Sequence, residues 1–503
     1  MNTDIVLEKL ARIRASAVPS RTSGLEQEIV LKFVERDPLL KQAIEDAASI
    51  YTDLKSEFSR ELELSEDDLI LRLQKGFLNF YGQGSICPFV PLAANGPWLV
   101  TIHGAIIYDT GGYGMLGFGH SPSLAPEVFS KPLVMANIMT PNVSQYRFAN
   151  ALQEHIGFRA LNGSCPYSKI LCMNSGSEAV TVALRLTDVH AKAMTDVSCK
   201  HAAKKIKLLS LKGSFHGRTD RAASISNSCV ENYRRHLGSF RDRESELVVE
   251  PNNVSELENV FEVTSRENIF VEAMFMEPVM GEGRPGLAIT REFYDAARRL
   301  TLKHDSLLVV DSVQAGFRAQ GCLSIVDYPS FDGIVPPDME VFSKALNAGQ
   351  FPLSVVALTP KAAGLYREGI YGNTMTANPR ALEIGRAVLS QVTDALALNI
   401  RERGEEFLSG LKRLQSEMRE IITEVRGTGL LLAAELDKKN YPVKDASGVC
   451  RALRAAGINV IPGGENALRF TPYFNINSDE INMILGVMRN VLLGFAKCAN
   501  CQK

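Results

Sequence analysis

The sequence predicts an α/β protein with a large, doubly wound mixed sheet and a second, smaller α+β domain. Between about residues 150 and 360, short apolar runs alternate with helical stretches, a pattern typical of a sheet covered by helices on both faces. Towards the C-terminus, short strands and helices are mixed, which predicts the α+β domain. The predicted strands of the large sheet are 169–173, 206–211, 273–276, 307–310 and 354–358.

The same pattern gives the expected domain boundaries. Residues 1–95 are predicted to form an N-terminal helical extension, because apolar residues recur there at helical spacing. Residues 96–130 contain a hairpin-like stretch that is expected to contribute to the small domain. We expect the large, ligand-binding domain over residues 131–390 and the C-terminal small domain over residues 391–503.

Composition excludes several classes of protein. The 503 residues include 55 Lys and Arg against 57 Asp and Glu, a net charge of −2 that offers no basic excess to a nucleic acid. No apolar run is long enough to span a membrane, and we expect no signal peptide. The nine scattered cysteines predict reduced thiols and a cytoplasmic location. No metal site is expected; the pair Cys498 and Cys501 lacks a second pair.

A candidate anion site follows the first strand of the large domain. Residues 174–179 end the strand and begin a helix, with Gly176 and Ser177 at the turn. Free N–H groups and the helix dipole at such a turn bind phosphate. Taken alone, the segment is equally consistent with an ordinary capped helix start.

The loop after the next strand combines three chemically distinct side chains. Phe215, His216 and Arg218 lie within residues 212–219 and provide an aromatic face, an imidazole and a guanidinium. A Phe-His pair is more often a packing feature, so this loop alone does not define a site.

Two further strands end in carboxylates. Glu277 and Glu282 flank a loop rich in Gly and Pro, and by themselves they are also consistent with surface acids. Asp311 ends a strongly apolar strand and is followed by Gln314. A buried carboxylate there needs a cationic partner. A protonated heterocycle nitrogen satisfies that need, and the sequence offers no metal-binding cluster nearby.

The last two motifs are a lysine and a threonine turn. Lys344 follows an apolar stretch, and a lysine in partly apolar surroundings has a lowered pKa and can attack a carbonyl group. Thr374 lies in a turn that leads into a helix beginning at Pro379, where its hydroxyl either binds a phosphate or caps the helix.

The order of these six motifs resembles the class III aminotransferases of the ornithine and ω-amino-acid type, which are fold-type I enzymes that use pyridoxal 5'-phosphate. The resemblance extends over about residues 95–495 and leaves residues 1–95 outside. Four more segments resemble elements of this family: 104–109, 119–122, 425–430 and 468–472.

The resemblance implies roles at the cofactor. Lys344 would attach covalently to the cofactor aldehyde and then move the substrate proton, and Asp311 would keep the pyridine nitrogen protonated. Gln314 would bond the ring hydroxyl, Phe215 would stack on the ring, and Thr374 would reach the phosphate of a neighbouring subunit, which implies a homodimer with shared sites. The implied cofactor-binding residues are Gly176, Ser177, Phe215, His216, Asp311, Gln314, Lys344 and Thr374.

The resemblance also implies a substrate site. Arg218 would bind a substrate carboxylate. Glu282 and Arg469 resemble a switch pair in which the acid masks the arginine for one substrate and releases it for the next. The implied substrate-binding residues are Arg218, Glu277, Glu282 and Arg469.

The predicted function is therefore transfer of an amino group from an amino acid or ω-amino donor to a 2-oxo acid, expected to be 2-oxoglutarate, by a ping-pong mechanism. The alternatives are an aminomutase, a racemase or epimerase, or a decarboxylase of the same fold, and a non-catalytic binding protein. One departure from the family pattern is Ser312, where the family usually has Glu after the aspartate. Lysine, ornithine and 4-aminobutyrate are the candidate donors.

Overall fold

The computed structural model describes residues 3–16, 18 and 20–501, and the side chains of Cys498 and Cys501 lie outside the described part. By contacts between Cα atoms the chain divides into two compact units. Unit 1 comprises Met1–Ser123 and Glu402–Lys503, and unit 2 comprises Leu124–Arg401. No helix in the described residues is long and apolar enough to cross a membrane.

Sixteen α-helices occur in the described residues. In chain order they are α1 Thr3–Ser16, α2 Gln27–Arg36, α3 Pro38–Glu57, α4 Glu66–Gln74, α5 Leu124–Phe129, α6 Val143–His155, α7 Gly176–Thr195, α8 Asp220–Ile225, α9 Val230–His236, α10 Val254–Arg266, α11 Arg291–Lys303, α12 Pro360–Ala363, α13 Pro379–Gln391, α14 Asp394–Glu417, α15 Val449–Ala455 and α16 Ser478–Cys501.

The described residues also form fifteen β-strands. In chain order they are β1 Pro91–Asn95, β2 Trp98–Thr101, β3 Ile106–Asp109, β4 Lys169–Met173, β5 Lys205–Leu211, β6 Leu247–Val249, β7 Ile269–Met276, β8 Leu307–Asp311, β9 Met339–Phe342, β10 Ser354–Leu358, β11 Ile422–Thr428, β12 Leu431–Leu436, β13 Ile458–Asn459, β14 Ile461–Gly463 and β15 Ala467–Phe470.

Unit 2 is built on a seven-stranded mixed sheet with the order β4-β10-β9-β8-β7-β5-β6. Strands β9, β8, β7, β5 and β6 run parallel, whereas β10 is antiparallel to both of its neighbours. The five predicted strands are all present, and the predicted fold class is confirmed. Strands β6 and β9 were not among the predicted ones, because both are short and β9 contains the polar Glu340 in a run of only four residues.

Helix α7 covers one face of this sheet. Its side chains share one buried cluster with alternate residues of the central strands, as expected for a sheet in which successive side chains point to opposite faces. The strand residues on this face are Met173, Leu208, Ala273, Phe275, Leu307, Val309, Met339, Val341, Val356 and Leu358.

Unit 1 contains two four-stranded sheets, β1-β2-β3-β13 and β11-β12-β15-β14. The N-terminal helices belong to this unit, and α3 packs against β1 and β2. Asp37 caps α3 through the Leu39 N–H and also accepts a hydrogen bond of 2.6 Å from the indole of the buried Trp98. The N-terminal helices are therefore packed on a sheet of unit 1 through buried contacts.

Candidate active site

Four of the predicted motifs meet at one edge of the large sheet. Parallel strands end at the same edge, and ligands of such sheets bind just beyond it. The segments that follow β5, β7, β8 and β9 carry Phe215, Glu277, Gln314 and Lys344. Strand β4 is antiparallel to β10, as is β9, so β4 points the same way as β9 and the start of α7 reaches the same edge.

Asp311 and His216 form a buried pair at the end of β8. The imidazole Nδ1 lies 2.9 Å from the Asp311 Oδ2 atom, and neither side chain is more than 5% exposed. The other carboxylate oxygen accepts a hydrogen bond of 3.1 Å from the Val313 N–H. The carboxylate is therefore held on both oxygens, and each oxygen keeps a lone pair for a further partner.

Lys344 lies beside Gln314. Its ammonium group donates a hydrogen bond to the Gln314 Oε1 atom. Its backbone has a φ of 48°, a left-handed conformation that is uncommon for residues other than glycine. Such strained positions cluster at functional sites. The Gln314 side chain packs against Gly281, where a Cβ atom would lie 2.4 Å from the Gln314 Cγ atom.

Glu277 fixes the aromatic loop through backbone bonds. It accepts hydrogen bonds from the N–H groups of Phe215 at 2.9 Å and Gly281 at 2.8 Å. Burial raises the pKa of Glu277 to about 7, opposed by the nearby His216 and reinforced by Asp311. Both oxygens are used in holding loops, and the predicted role of Glu277 in binding substrate stays a prediction.

The start of α7 has the close backbone approach expected of an anion site. A Cβ atom at Gly217, whose φ is 113°, would lie 2.5 Å from the Ser177 hydroxyl. A Cβ atom at Gly176 would lie 2.9 Å from Val313. Only glycine fits at these two positions without displacing a neighbour. The N–H groups of the first turn and the Ser177 hydroxyl thus form a compact corner suited to phosphate.

The threonine turn is tied to the same corner. Glu178, in the first turn of α7, accepts hydrogen bonds from the Tyr371 hydroxyl and from the Asn373 amide, the latter at 2.6 Å. Burial acts to raise the pKa of Glu178, but these bonds and the one from the Asn174 N–H lower it overall. Thr374 itself is exposed.

Arg218 lies against the aromatic loop. Its guanidinium stands 5.2 Å from the centre of the Phe215 ring, within the range of a cation–π interaction. Burial opposes ionisation, but the neighbouring Cys229, Tyr233 and Glu282 raise the pKa of Arg218. Glu282 is therefore close enough to Arg218 to act on it electrostatically.

Arg469 lies on β15 of unit 1 and is buried. Its predicted pairing with Glu282 stays a prediction. In the same unit, Tyr113 has a φ of 49°, an outlier for a bulky residue, and Arg469 is among the charges that act on its hydroxyl. Tyr113 was not predicted, because nothing in its Gly-rich sequence segment distinguishes a tyrosine with a left-handed backbone.

The edge residues fit a pyridoxal phosphate cofactor. Two buried polar atoms, Gln314 Nε2 and His216 Nε2, have no hydrogen-bond partner among the described residues. The Gln314 amide nitrogen is suited to the ring hydroxyl, and the phosphate corner and the Asp311 carboxylate would offer the other two contacts that such a cofactor needs. No group of three or more His, Cys, Asp or Glu in the described residues is arranged to hold a metal ion. Fold and site together define a transferase of the pyridoxal-phosphate class.

Comparison with known proteins identifies the family. The family model described as aminotransferase class-III matches residues 82–492. The chain therefore belongs to the class III aminotransferases, which transfer an amino group between an amino acid and a 2-oxo acid, and the predicted family and activity are confirmed. The match begins before residue 95, the expected limit of the resemblance.

The similar curated proteins have related names. The chain is 29% identical over 416 residues to a mitochondrial acetylornithine aminotransferase of Debaryomyces hansenii, covering 80% of this chain and 84% of that one. It is 29% identical over 418 residues to an ornithine aminotransferase of Staphylococcus epidermidis, covering 82% and 97%. Among solved structures, the ornithine aminotransferase of Toxoplasma gondii superposes with a TM-score of 0.73 at 24% identity, covering 88% and 99%.

Two further features of the site were missed from the sequence. One is the set of bonds from Tyr371 and Asn373 to the half-buried Glu178, where the sequence predicted only an anion site or a capped helix start. The other is Glu340, a fully buried acid on β9 that accepts a hydrogen bond of 2.6 Å from Ser312. The sequence signal that could have identified Glu340 is the presence of an acidic residue within a short apolar run.

Proposed function

We propose that this aminotransferase binds pyridoxal 5'-phosphate at the edge formed by β5, β7, β8 and β9, with Lys344 as the attachment point. The observation that carries the proposal is the joint presence of Lys344, the buried Asp311–His216 pair and the Gln314 amide nitrogen, which has no partner among the described residues, at one sheet edge. Asp311 would bind the protonated ring nitrogen, and Phe215 would lie against the ring. Gly176 and Ser177 would bind the phosphate.

The bound cofactor supplies an electron sink that makes the α-proton or ω-proton of an amine acidic. The residues of this chain have separate tasks around it. The Lys344 amine, once free, would accept that proton from the substrate carbon and pass it to the cofactor carbon. The negative charge of Asp311, buried and held by His216, favours the protonated ring nitrogen over the neutral one.

The substrate side of the proposal involves two arginines. Arg218, which lies over Phe215, would bind a carboxylate of the amino donor. Arg469 would bind a carboxylate of the 2-oxo acid. The names of the similar proteins favour a donor of the ornithine type, and we propose 2-oxoglutarate as the acceptor.

A single-turnover experiment tests the function. The holoenzyme is mixed with ornithine, N-acetylornithine, lysine or 4-aminobutyrate without acceptor, and the visible band of the bound cofactor is followed. Loss of that band in one turnover and its return on adding 2-oxoglutarate support transamination. Turnover of a single substrate with no lasting loss of the band would instead support the mutase, racemase or decarboxylase alternatives.

A lysine variant tests the attachment point. Lys344→Ala is expected to bind the cofactor without a borohydride-reducible bond, whereas Lys361→Ala, a change at an exposed lysine on α12, keeps the bond. A reducible adduct in the Lys344→Ala protein would contradict the assignment.

We also propose a homodimer in which Thr374 reaches the phosphate of the partner's site. Thr374 is exposed, and so is a segment rich in large apolar side chains that precedes and begins α6. Large apolar side chains concentrated on an exposed segment are typical of a surface that another protein covers. The exposed apolar residues of this segment are Val134, Met135, Ile138, Met139, Val143 and Tyr146. Light scattering on the holoenzyme tests the dimer; a monomer at micromolar concentration would contradict it.

A cytoplasmic location is part of the same proposal. It rests on the scattered, odd-numbered cysteines of the sequence, which suit a reducing compartment. Cell fractionation followed by detection of the native protein tests it, and recovery from a secreted or membrane fraction would contradict it.

A further inference from the structure

We infer that Glu340 is a positioning residue for the active site, acting through Ser312 on the turn that carries Asp311 and Gln314. The inference rests on the proposed cofactor site. We use the term Glu340 cluster for the carboxylate and its four hydrogen-bond donors. The donors are the hydroxyls of Ser312, Ser324 and Tyr167 and the backbone N–H of Ile325.

The Glu340 carboxylate is fully buried and its acceptor capacity is filled. Oε1 accepts from Ser312 at 2.6 Å and from the Ile325 N–H at 3.0 Å. Oε2 accepts from Ser324 at 2.5 Å and from Tyr167 at 2.7 Å. All four donors are neutral and each oxygen has two, so the group holds surrounding segments in place and has no lone pair left for a ligand.

The cluster lies on the face of the sheet opposite to Asp311. Val309 and Val341 belong to the face covered by α7, and Asp311, two residues after Val309, continues that face. Glu340 precedes Val341 and therefore points to the other face, where Ser312 follows Asp311. The two carboxylates are thus on neighbouring strands but on opposite faces.

Ser312 is the link between the two faces. Its N–H donates to the Val341 carbonyl oxygen at 2.9 Å, and its hydroxyl donates to Glu340, so both polar ends of the residue are fixed to β9. The adjacent Asp311 must keep its carboxylate at a fixed distance from the cofactor ring. If the backbone of Ser312 shifted by a fraction of an ångström, the adjacent Asp311 would shift with it. Gln314, two residues after Ser312, would shift as well.

Glu340 also lies close in sequence to the proposed attachment residue Lys344. Glu340 precedes Lys344 by four residues, and Lys344 is held by Gln314 from the Ser312 turn. The cluster therefore joins the ends of β8 and β9, the two strands that supply the ring-nitrogen and attachment residues.

A matched pair of serine variants distinguishes an effect on the position of Asp311 from a general loss of protein stability. Ser312→Ala and Ser324→Ala each remove one hydroxyl that bonds the same carboxylate, but only Ser312 adjoins Asp311. The holoenzymes are compared in thermal midpoint, in the pH midpoint of the visible cofactor band, and in kcat and KM for the amino donor. Glu340→Gln is a second probe that keeps the shape and removes the charge.

The expected result is a change specific to Ser312→Ala. Its kcat falls about three- to tenfold, as expected for one buried hydrogen bond, its KM stays within about twofold, and the pH midpoint of the cofactor band moves. Ser324→Ala lowers the thermal midpoint similarly and leaves kcat and the pH midpoint unchanged. Glu340→Gln is expected to behave like Ser312→Ala.

A second control uses another buried acid. Glu272 on β7 is also fully buried, bonds Arg221 and Thr187, and lies outside the site, so Glu272→Gln should alter stability only. The inference is overturned if Ser312→Ala leaves kcat and the pH midpoint unchanged, or if Ser324→Ala or Glu272→Gln shifts them equally. Failure of the proposed function would appear differently, as the absence of a cofactor band in the unmodified protein.

Discussion

The bond between His216 and Asp311 offers the sharpest test of the cofactor site. Both side chains are almost completely buried, and 2.9 Å separates the imidazole Nδ1 from the carboxylate oxygen. A hydrogen bond to a charged group contributes about 1.5–3 kcal/mol. Since about 1.4 kcal/mol corresponds to a tenfold change in rate, His216→Leu should lower kcat by about ten- to hundredfold.

The physical reason is specific to one carboxylate oxygen. Without His216, the buried Asp311 Oδ2 atom loses its hydrogen bond, so the carboxylate is held less firmly opposite the ring nitrogen. The cofactor nitrogen would then be protonated for a smaller fraction of the time. We therefore expect the loss in the single-turnover rate with a saturating amino donor, together with weaker retention of the cofactor during gel filtration.

His190→Leu serves as the control for losing a buried histidine. The His190 Nε2 atom lies 2.6 Å from the Asp305 carbonyl oxygen, and His190 is on α7, outside the candidate site. The control should lower the thermal midpoint and leave the single-turnover rate unchanged. If His216→Leu retained the parental rate in a protein of normal fold, the role assigned to the Asp311–His216 pair would be refuted.

Two further predictions concern the phosphate corner and the pH dependence of stability. Gly217→Ala places a Cβ atom 2.5 Å from the Ser177 hydroxyl at a φ of 113°. We expect this variant to weaken cofactor binding at least about tenfold, measured by fluorescence titration of the apoenzyme. The control is Gly238→Ala, whose Cβ atom meets no atom within 4 Å and which should leave cofactor binding unchanged. Burial raises the pKa of Glu480 to about 7 from the usual 4.5. The folded state therefore binds the Glu480 proton more tightly than the unfolded state does. As the pH rises from 4.5 to 7, the free energy of unfolding falls by about 3 kcal/mol. Glu480→Gln should flatten the fall in urea-unfolding free energy over that range, and a parental slope in the variant would contradict the assignment.

The sequence was sufficient for features that depend on local pattern. The apolar runs of β4, β5, β7, β8 and β10 were identified because strands buried on both faces read as continuous hydrophobic stretches. The order of the strands in the sheet could not be predicted from these local patterns. Strand β10 runs antiparallel between β4 and β9, and no local sequence signal indicates the direction of a strand.

The site shows the same division. Asp311 was identified because it ends a predicted strand, and Gln314 and Lys344 because they follow apolar stretches. Their order along the chain resembles that of the class III aminotransferases, which gave them their expected roles. The pairings that hold them were not predicted, because the two partners of each pair come from distant segments of the chain. His216 and Asp311 are 95 positions apart in the sequence, and Tyr371 and Glu178 are 193 apart. Local sequence patterns carry no information about pairs at such separations.

The three buried carboxylates around this edge have different capacities for chemistry. Glu340 accepts four hydrogen bonds on the far face and has no lone pair to offer. Glu277 has a pKa raised by burial to about 7 and uses both oxygens to hold the loops of Phe215 and Gly281, so its charge is not constant at neutral pH. Asp311 is held by one imidazole and one N–H and keeps acceptor capacity on the face that α7 covers. Of the three acids, Asp311 is therefore the one suited to bind a protonated ring nitrogen, and the other two fix the segments on either side of it.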